Sequence, residues 1–277
     1  MAFYCIGTRG KHLKSIEALK NSALSRGIDF HILNPNFLDT VLLKNISSRD
    51  MVFRLTNSHN SQMLEAILIG KGAISLLREN GIKTLGRITL SALINKIDGI
   101  SVPRTEFLIS NNRKVLINQV KNLGGYPLVI KILGKSMGIG VIKVNSEDTL
   151  FSLVDHLKSV NERFILREFI NTKLFGRLYV LNEKVILSET NESINDFRSN
   201  DAKYFKFQFN EQIENESIKA VKSIGSYFGG VDVLIDQHDK FFILEVNYPC
   251  NFITAQINTG IKISDHLIDF MKSKVIE

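Results

Sequence analysis

Two apolar segments, residues 127–133 and 140–144, flank a loop that carries Gly134, Gly138 and Gly140. No other stretch constrains the fold as tightly. Gly134, Lys135 and Ser136 invite a mononucleotide phosphate-loop reading, but Val129 stands where that motif needs its first glycine. A second apolar segment follows the loop, where the motif requires a helix. The dinucleotide fingerprint fails too, because Lys143 occupies the place of its last glycine. What remains is a strand–loop–strand hairpin whose tip is rich in N–H groups unshielded by side chains. Such a tip can approach anions closely, and Lys131 in the adjoining strand can supply a point charge. An ordinary hairpin with a snorkelling lysine fits the same residues, so the hairpin alone leaves both readings open.

The rest of the chain alternates strand and helix patterns. Residues 3–6 form a short apolar run ending at Gly7, a helical pattern covers 12–25, and 30–33 and 51–55 read as strands. A helix is expected over 62–80, stopped by Gly81, and another over 89–97. This spacing suggests a small parallel α/β unit over residues 1–86. Strand 105–109, helix 115–123, the hairpin, helix 146–158 and strand 164–166 make a second unit over 87–170. Strands and helices continue through 171–277, ending in a helix that begins near Ser264. No repeat, low-complexity stretch or long linker interrupts this order.

Acidic and amide side chains stand inside two late apolar strands, Asp232 in 230–235 and Glu245 with Asn247 in 241–247. Glu245 and Asn247 are two apart and leave the same face of a strand. If the two strands pair, Asp232 joins them in a set of hard oxygen donors suited to Mg²⁺. Polar residues on the solvated face of a sheet are the competing reading. Residues 195–200 add a turn-prone stretch with one fixed cation, Arg198, beside Ser199 and Asn200. Alone it reads as a surface loop.

Composition narrows the classes further. The 277 residues are 44% hydrophobic and 23% charged, which excludes a disordered or collagen-like chain. No apolar run approaches the roughly 18 residues of a membrane span, and the opening MAFYCIGTRG lacks a secretory pattern. Cys5 and Cys250 are the only cysteines and are far apart, so a disulfide framework or zinc ribbon is not expected and a cytoplasmic setting is. The net charge of +7 suits ligands bearing phosphate or carboxylate; no interleaved aromatics or finger signature supports nucleic acid. The six histidines form no ligand pattern.

Taken in order, the motifs resemble the ATP-grasp superfamily, most closely its RimK-like branch. The shared segments are Lys131 with its Gly138–Gly140 loop, Arg167-Glu168-Phe169-Ile170, Asp196-Phe197-Arg198-Ser199-Asn200, Gly230-Val231-Asp232 and Glu245-Val246-Asn247. The resemblance covers residues 87–277, and more weakly the leading unit. It implies a mixed α/β fold with a parallel N-terminal domain, a central lid and a C-terminal antiparallel-sheet domain. It also implies a ligase that joins a carboxylate to an amine through an acyl phosphate, releasing ADP and phosphate. Lys131, Ser136, Gly138 and Gly140 would bind ATP phosphates, while Glu168 and the Phe169 backbone would meet adenine. Arg198, Ser199 and Asn200 would line the phosphate and acyl-phosphate region. Asp232, Glu245 and Asn247 would hold Mg²⁺, or Mn²⁺ in its place, as two ions, and Arg177 would face the reacting carboxylate. The implied partners are a carboxylate acceptor (peptide, protein or small metabolite) and an amino acid or other amine, with no nucleic acid, no membrane and a homo-oligomeric state. Three departures stand out: Phe175 where relatives carry a ribose-contacting Asp, Arg87-Ile88 where an Asp-Lys pair opens the lid, and Tyr248-Pro249-Cys250 where a small residue, Pro and Gly follow. The first two departures, Phe175 and Arg87-Ile88, also motivate a non-catalytic ATP-binding scaffold as the alternative.

Overall fold

A computed structural model describes residues 1–38, 43, 45–78, 92, 94–95, 97–135, 138–191 and 204–276. The first sheet is parallel, in the order β2-β1-β3-β4, from β1 (Ala2–Ile6), β2 (Asp29–Leu33), β3 (Met51–Arg54) and β4 (Ile74–Ser75). Helices α1 (Arg9–Leu24) and α2 (His59–Gly70) lie between its strands. The Ser58 hydroxyl starts α2 by accepting from the Ser61 N–H at 3.3 Å. This helix ends at Gly70, well short of the expected residue 80. Gly72 turns there at φ +100°, a conformation a side chain resists, and Ile74 then joins the sheet by donating its N–H to the Asp50 carbonyl at 2.8 Å. The helix expected over 89–97 falls largely outside the described residues.

The second sheet is antiparallel, in the order β5-β8-β6-β7. Its strands are β5 (Thr105–Glu106), β6 (Leu128–Ile132), β7 (Val141–Val144) and β8 (Phe164–Glu168). The strand expected over 105–109 is therefore only two residues long. Helices α3 (Arg113–Asn122) and α4 (Glu147–Ser159) carry side-chain caps from Asn112 and Ser146. Strands β6 and β7 form the hairpin. At its neck a Cβ on Gly140 would stand 2.9 Å from Ile132 Cβ, so glycine lets the strands close. Leu116, Ile130, Val144, Leu150, Val154 and Leu166 are buried in a core belonging to this unit alone.

The third sheet is antiparallel in the order β11-β10-β9-β12-β13. It comprises β9 (Thr172–Leu181), β10 (Lys184–Asn191), β11 (Tyr204–Lys206), β12 (Phe228–Asp236) and β13 (Phe241–Asn247). Helix α5 (Glu211–Ser223) covers one face, where the Phe209 ring sits so tightly on Gly176 that a Cβ there would lie 2.1 Å from it. Helices α6 (Ile253–Thr259) and α7 (Ile263–Ile276) close the chain. Helix α6, which no sequence expectation covers, is only seven residues long and stops at Gly260, φ +74°. The first and third sheets share one core, in which Phe3, Phe53 and Ile16 are buried together with Phe228, Val231 and Phe252.

Candidate active site

The face of the third sheet opposite α5 carries a row of charge. Register sets Glu189 of β10 opposite Arg177 of β9, Arg177 opposite Asp232 of β12, and Asp232 opposite Glu245 of β13. Residues paired this way share a face, so one row of four side chains crosses four strands. The Arg177 guanidinium forks onto Asp232, with Nε donating to Oδ1 at 2.5 Å and Nη2 to Oδ2 at 2.8 Å. Asn247 Nδ2 donates to the same Oδ2 at 3.1 Å. A bulge follows Asp232 and leaves Leu244 without a direct partner.

The second sheet meets the end of this row. Lys131 Nζ on β6 donates to Glu245 Oε2 at 2.5 Å, and both side chains are partly exposed. Arg167 of β8 is buried; it donates from Nη1 to the Leu244 carbonyl at 3.3 Å and from Nε to Thr105 Oγ1 at 3.1 Å. Burial pushes the Glu245 carboxyl up, but the Lys131 ammonium, with Arg167 and Arg177 behind it, outweighs burial and holds it at about 2. Asp232 is raised by burial and by the like charge of Glu245, against the pull of Arg177. Arg177 beside Asp232 is held well above its ordinary value and stays cationic.

Sequence and structure thus bring Lys131, Arg177, Asp232, Glu245 and Asn247 together, from two sheets and four strands. Two adjacent carboxylates with an amide beside them are hard oxygen donors of the number Mg²⁺ takes from protein when phosphates and water complete its shell. Among the described residues no group of three or more His, Cys, Asp or Glu gathers into a metal site, so this trio depends on its asparagine. Gly138 lies in the hairpin loop and Gly140 at its neck, both with positive φ. Ser136, Arg198, Ser199 and Asn200 lie outside the described residues, as do Asp196, Phe197, Arg87 and Ile88.

Glu168 closes β8, and its carboxylate is taken by Arg104, whose Nη2 donates at 2.6 Å, Nε at 2.8 Å and backbone N–H at 2.7 Å. Lys143 Nζ lies 3.8 Å from the centre of the Phe169 ring. The first contact ties the end of β8 to the residue that precedes β5, within the second sheet, and the second joins the segment leading to the third sheet back to β7.

Several polar residues near the site carried no legible signal. Tyr248, directly after Asn247, donates its hydroxyl to Glu65 Oε1 of α2 at 2.9 Å. Arg54 Nε at the end of β3 donates to Glu65 Oε2 at 2.6 Å, and its guanidinium lies over the Tyr248 ring. Thus the loop after β13 is anchored to the first sheet; a lone Arg closing a strand and a lone Glu in a helix announce nothing of this. Cys250 is buried against Gly230, and burial pushes its thiol up to about 12, which fits a packing residue and not a nucleophile. Glu189 is likewise buried, its carboxyl raised by burial against the pull of the Tyr179 hydroxyl and Arg177.

The RimK-like ATP-grasp domain model matches residues 83–271. The chain belongs to the RimK-like ATP-grasp family. Among curated proteins, a probable alpha-L-glutamate ligase of Trichodesmium erythraeum is 28% identical over 186 residues, which span 64% of this chain and 60% of that protein. One of the same name from Legionella pneumophila (strain Corby) is 26% identical over 290 residues, spanning 95% of this chain and 93% of the relative. The ATP-grasp ligase PsnB complexed with a minimal precursor superimposes with a TM-score of 0.74 at 15% identity, covering 99% of each chain. A D-alanine–D-alanine ligase from Bacillus anthracis gives 0.72 at 16% identity, covering 100% of this chain and 97% of that one. At these identities the structural likeness shows the fold, a mixed α/β architecture of the ATP-grasp ligases. No described helix is long and apolar enough to cross a membrane.

Proposed function

We propose that this RimK-like ATP-grasp chain joins a carboxylate to an amine at the expense of ATP. One observation carries the reading. Lys131 of the hairpin sheet reaches the same carboxylate, Glu245, that stands beside the Arg177–Asp232 pair. A cation for phosphates, oxygen donors for Mg²⁺ and a cation for the acceptor then lie side by side. The names of the curated relatives point to an amino acid as the incoming amine. The domain partition proposed with this reading is 1–86, 87–170 and 171–277.

A carboxylate is a poor electrophile because its leaving group would be oxide. Attack of its oxygen on the γ-phosphorus of ATP releases ADP and forms an acyl phosphate. An amine then attacks the acyl carbon, phosphate leaves, and loss of one proton gives the amide. Lys131 would exchange Glu245 for phosphate oxygens, while Asp232, Glu245 and Asn247 hold Mg²⁺. Bound there, Mg²⁺ offsets charge on the phosphates as an anion approaches. Arg177 lies one strand further along and would orient the reacting carboxylate. Arg198, Ser199 and Asn200 are proposed to add to the phosphate contacts. The second sheet would cover the intermediate against water.

The test is ADP release from Mg²⁺-ATP with a panel of amino acids, short peptides and carboxylate metabolites, followed by mass spectrometry. The expected product weighs one amine plus one carboxylic acid minus water. Nucleotide binding without product across the panel would favour the scaffold alternative, and absence of ATP binding would overturn the proposal.

A further inference from the structure

Beyond Arg177 the charged row ends in two side chains whose polar atoms are left over. Glu189 and Asn191 of β10 are 5% and 4% exposed. Glu189 Oε1 accepts from the Tyr179 hydroxyl at 3.1 Å, but among the described residues its Oε2 and the Asn191 Nδ2 have no hydrogen-bond partner. Buried polar groups are nearly always paired, and each exception calls for an explanation. Two residues apart on one strand, these side chains share the face of Arg177 and Asp232, with their Cα atoms about 6.8 Å apart. One is a spare acceptor bearing negative charge, the other a spare donor.

Their place along the row says what they can receive. Neighbouring strands lie about 4.8 Å apart, which puts Glu189 one step from Arg177 and about 10 Å from Asp232. If phosphates sit at the Lys131–Glu245 end and the reacting carboxylate at Arg177, the next position outward is where the second substrate must stand. The Tyr179 hydroxyl bounds this corner and also lies 3.4 Å from the Asn251 carbonyl, in the loop after β13. We propose that Glu189 and Asn191 form the subsite of the incoming amine and select an α-amino acid, its ammonium held by Glu189 and its carboxylate by the Asn191 amide. A simple amine would satisfy only Glu189, and a second dicarboxylate would bring like charge to it. The inference rests on the ligase reading and deepens it.

The test is calorimetry on the full chain. AMPPNP with Mg²⁺ is titrated first, then a panel of L-amino acids into the saturated complex. At least one amino acid should bind, and its N-acetyl and methyl-ester derivatives should each lose tenfold or more. Glu189→Gln keeps the shape and removes the charge; it should weaken that amino acid tenfold or more and shift AMPPNP affinity less than twofold. Asn191→Leu should weaken the amino acid without touching the ammonium contact, so the ester and the free acid should then bind alike. Unchanged amino-acid affinity in Glu189→Gln would mean that buried water fills the corner, and would overturn the subsite. So would AMPPNP binding with no amino acid bound, or derivatives that bind like the parent. Failure of the wild type to bind AMPPNP would instead sink the ligase reading itself.

Discussion

Lys131 and Glu245 touch, yet they stand on foundations of different kinds. The second sheet, which holds Lys131, packs on a core of its own built from residues such as Leu116, Ile130 and Leu150. Its links to the third sheet include polar ones: Lys131 to Glu245, Arg167 to the Leu244 carbonyl, and the segment around Ser101, whose carbonyl accepts from the Ile243 N–H at 2.7 Å. The first and third sheets instead merge, with Phe53 edge-on to Phe228 and Phe228 edge-on to Phe252 inside one core. Shared apolar burial resists separation in proportion to its area. A few polar contacts exchange readily with water or ligand. The comparison therefore distinguishes a fixed platform, holding Arg177, Asp232, Glu245 and Asn247, from a cover that can part from it.

The largest expected effect is on chemistry at the platform. Glu245→Gln removes one charged oxygen donor and should lower turnover by about 10³-fold or more, as loss of a contact to developing charge does. Since the side chain is partly exposed, the melting temperature should hold to within a few degrees. Steady-state ADP release and a thermal melt check both, and full activity in this variant would remove Glu245 from the metal set.

Core truncations come next and address the division itself. Phe228→Ala should cost about 3–5 kcal/mol and loosen the first and third sheets together. Leu150→Ala in α4 should cost about 2–5 kcal/mol but act locally. Hydrogen exchange would show lost protection over β6 to β8 with β1 and β12 still protected. If both variants lowered protection everywhere equally, the cover and platform would be one cooperative unit and the comparison would break.

A smaller effect is expected at the junction. Lys131→Ala removes a point charge from the cover and should weaken ATP binding by about 10–100-fold, consistent with a charge-assisted contact of roughly 1.5–3 kcal/mol. Calorimetry decides this, and unchanged affinity would leave Lys131 as no more than a tether to Glu245.

Much of this arrangement is legible from the chain because it is local. The hairpin at Gly140, the strands bearing Asp232 and Glu245, and the two-residue spacing of Glu245 and Asn247 all follow from period and punctuation. The end of α2 at Gly70 is not legible in the same way: Gly70 and Gly72 break the helical pattern, but the apolar residues beyond them continue it and extend the expected helix to residue 80. What no local pattern carries is the meeting of distant residues. Arg54, Glu65 and Tyr248 form one buried cluster from two sheets and a helix, and each is unremarkable in its own segment. Glu189 opposite Arg177 depends on strand register, and the bulge between Val185 and Leu187 shifts that register by one residue in a way periodicity does not announce.

The smallest effect separates packing from chemistry inside the platform. Cys250 follows β13, which bears two of the proposed metal ligands, closely enough to be mistaken for a nucleophile. Its surroundings argue otherwise. A Cβ on Gly230 would lie 3.0 Å from Cys250 Cβ and 3.4 Å from its Sγ, so the thiol fills the space the glycine leaves, beside Arg177. Burial pushes both Cys250 and Cys5 up to about 12. An unhindered thiol with a pKa of about 8.5 is mostly thiolate at pH 9, whereas these two would be protonated as well as inaccessible. Iodoacetamide at pH 9 should therefore label neither in the native chain and both after denaturation. Cys250→Ala should cost about 1–2 kcal/mol through the lost sulfur packing and reduce turnover only severalfold. Rapid native labelling of Cys250, or loss of turnover as deep as that of Glu245→Gln, would place a reactive thiol in the site and with it a different chemistry for the platform.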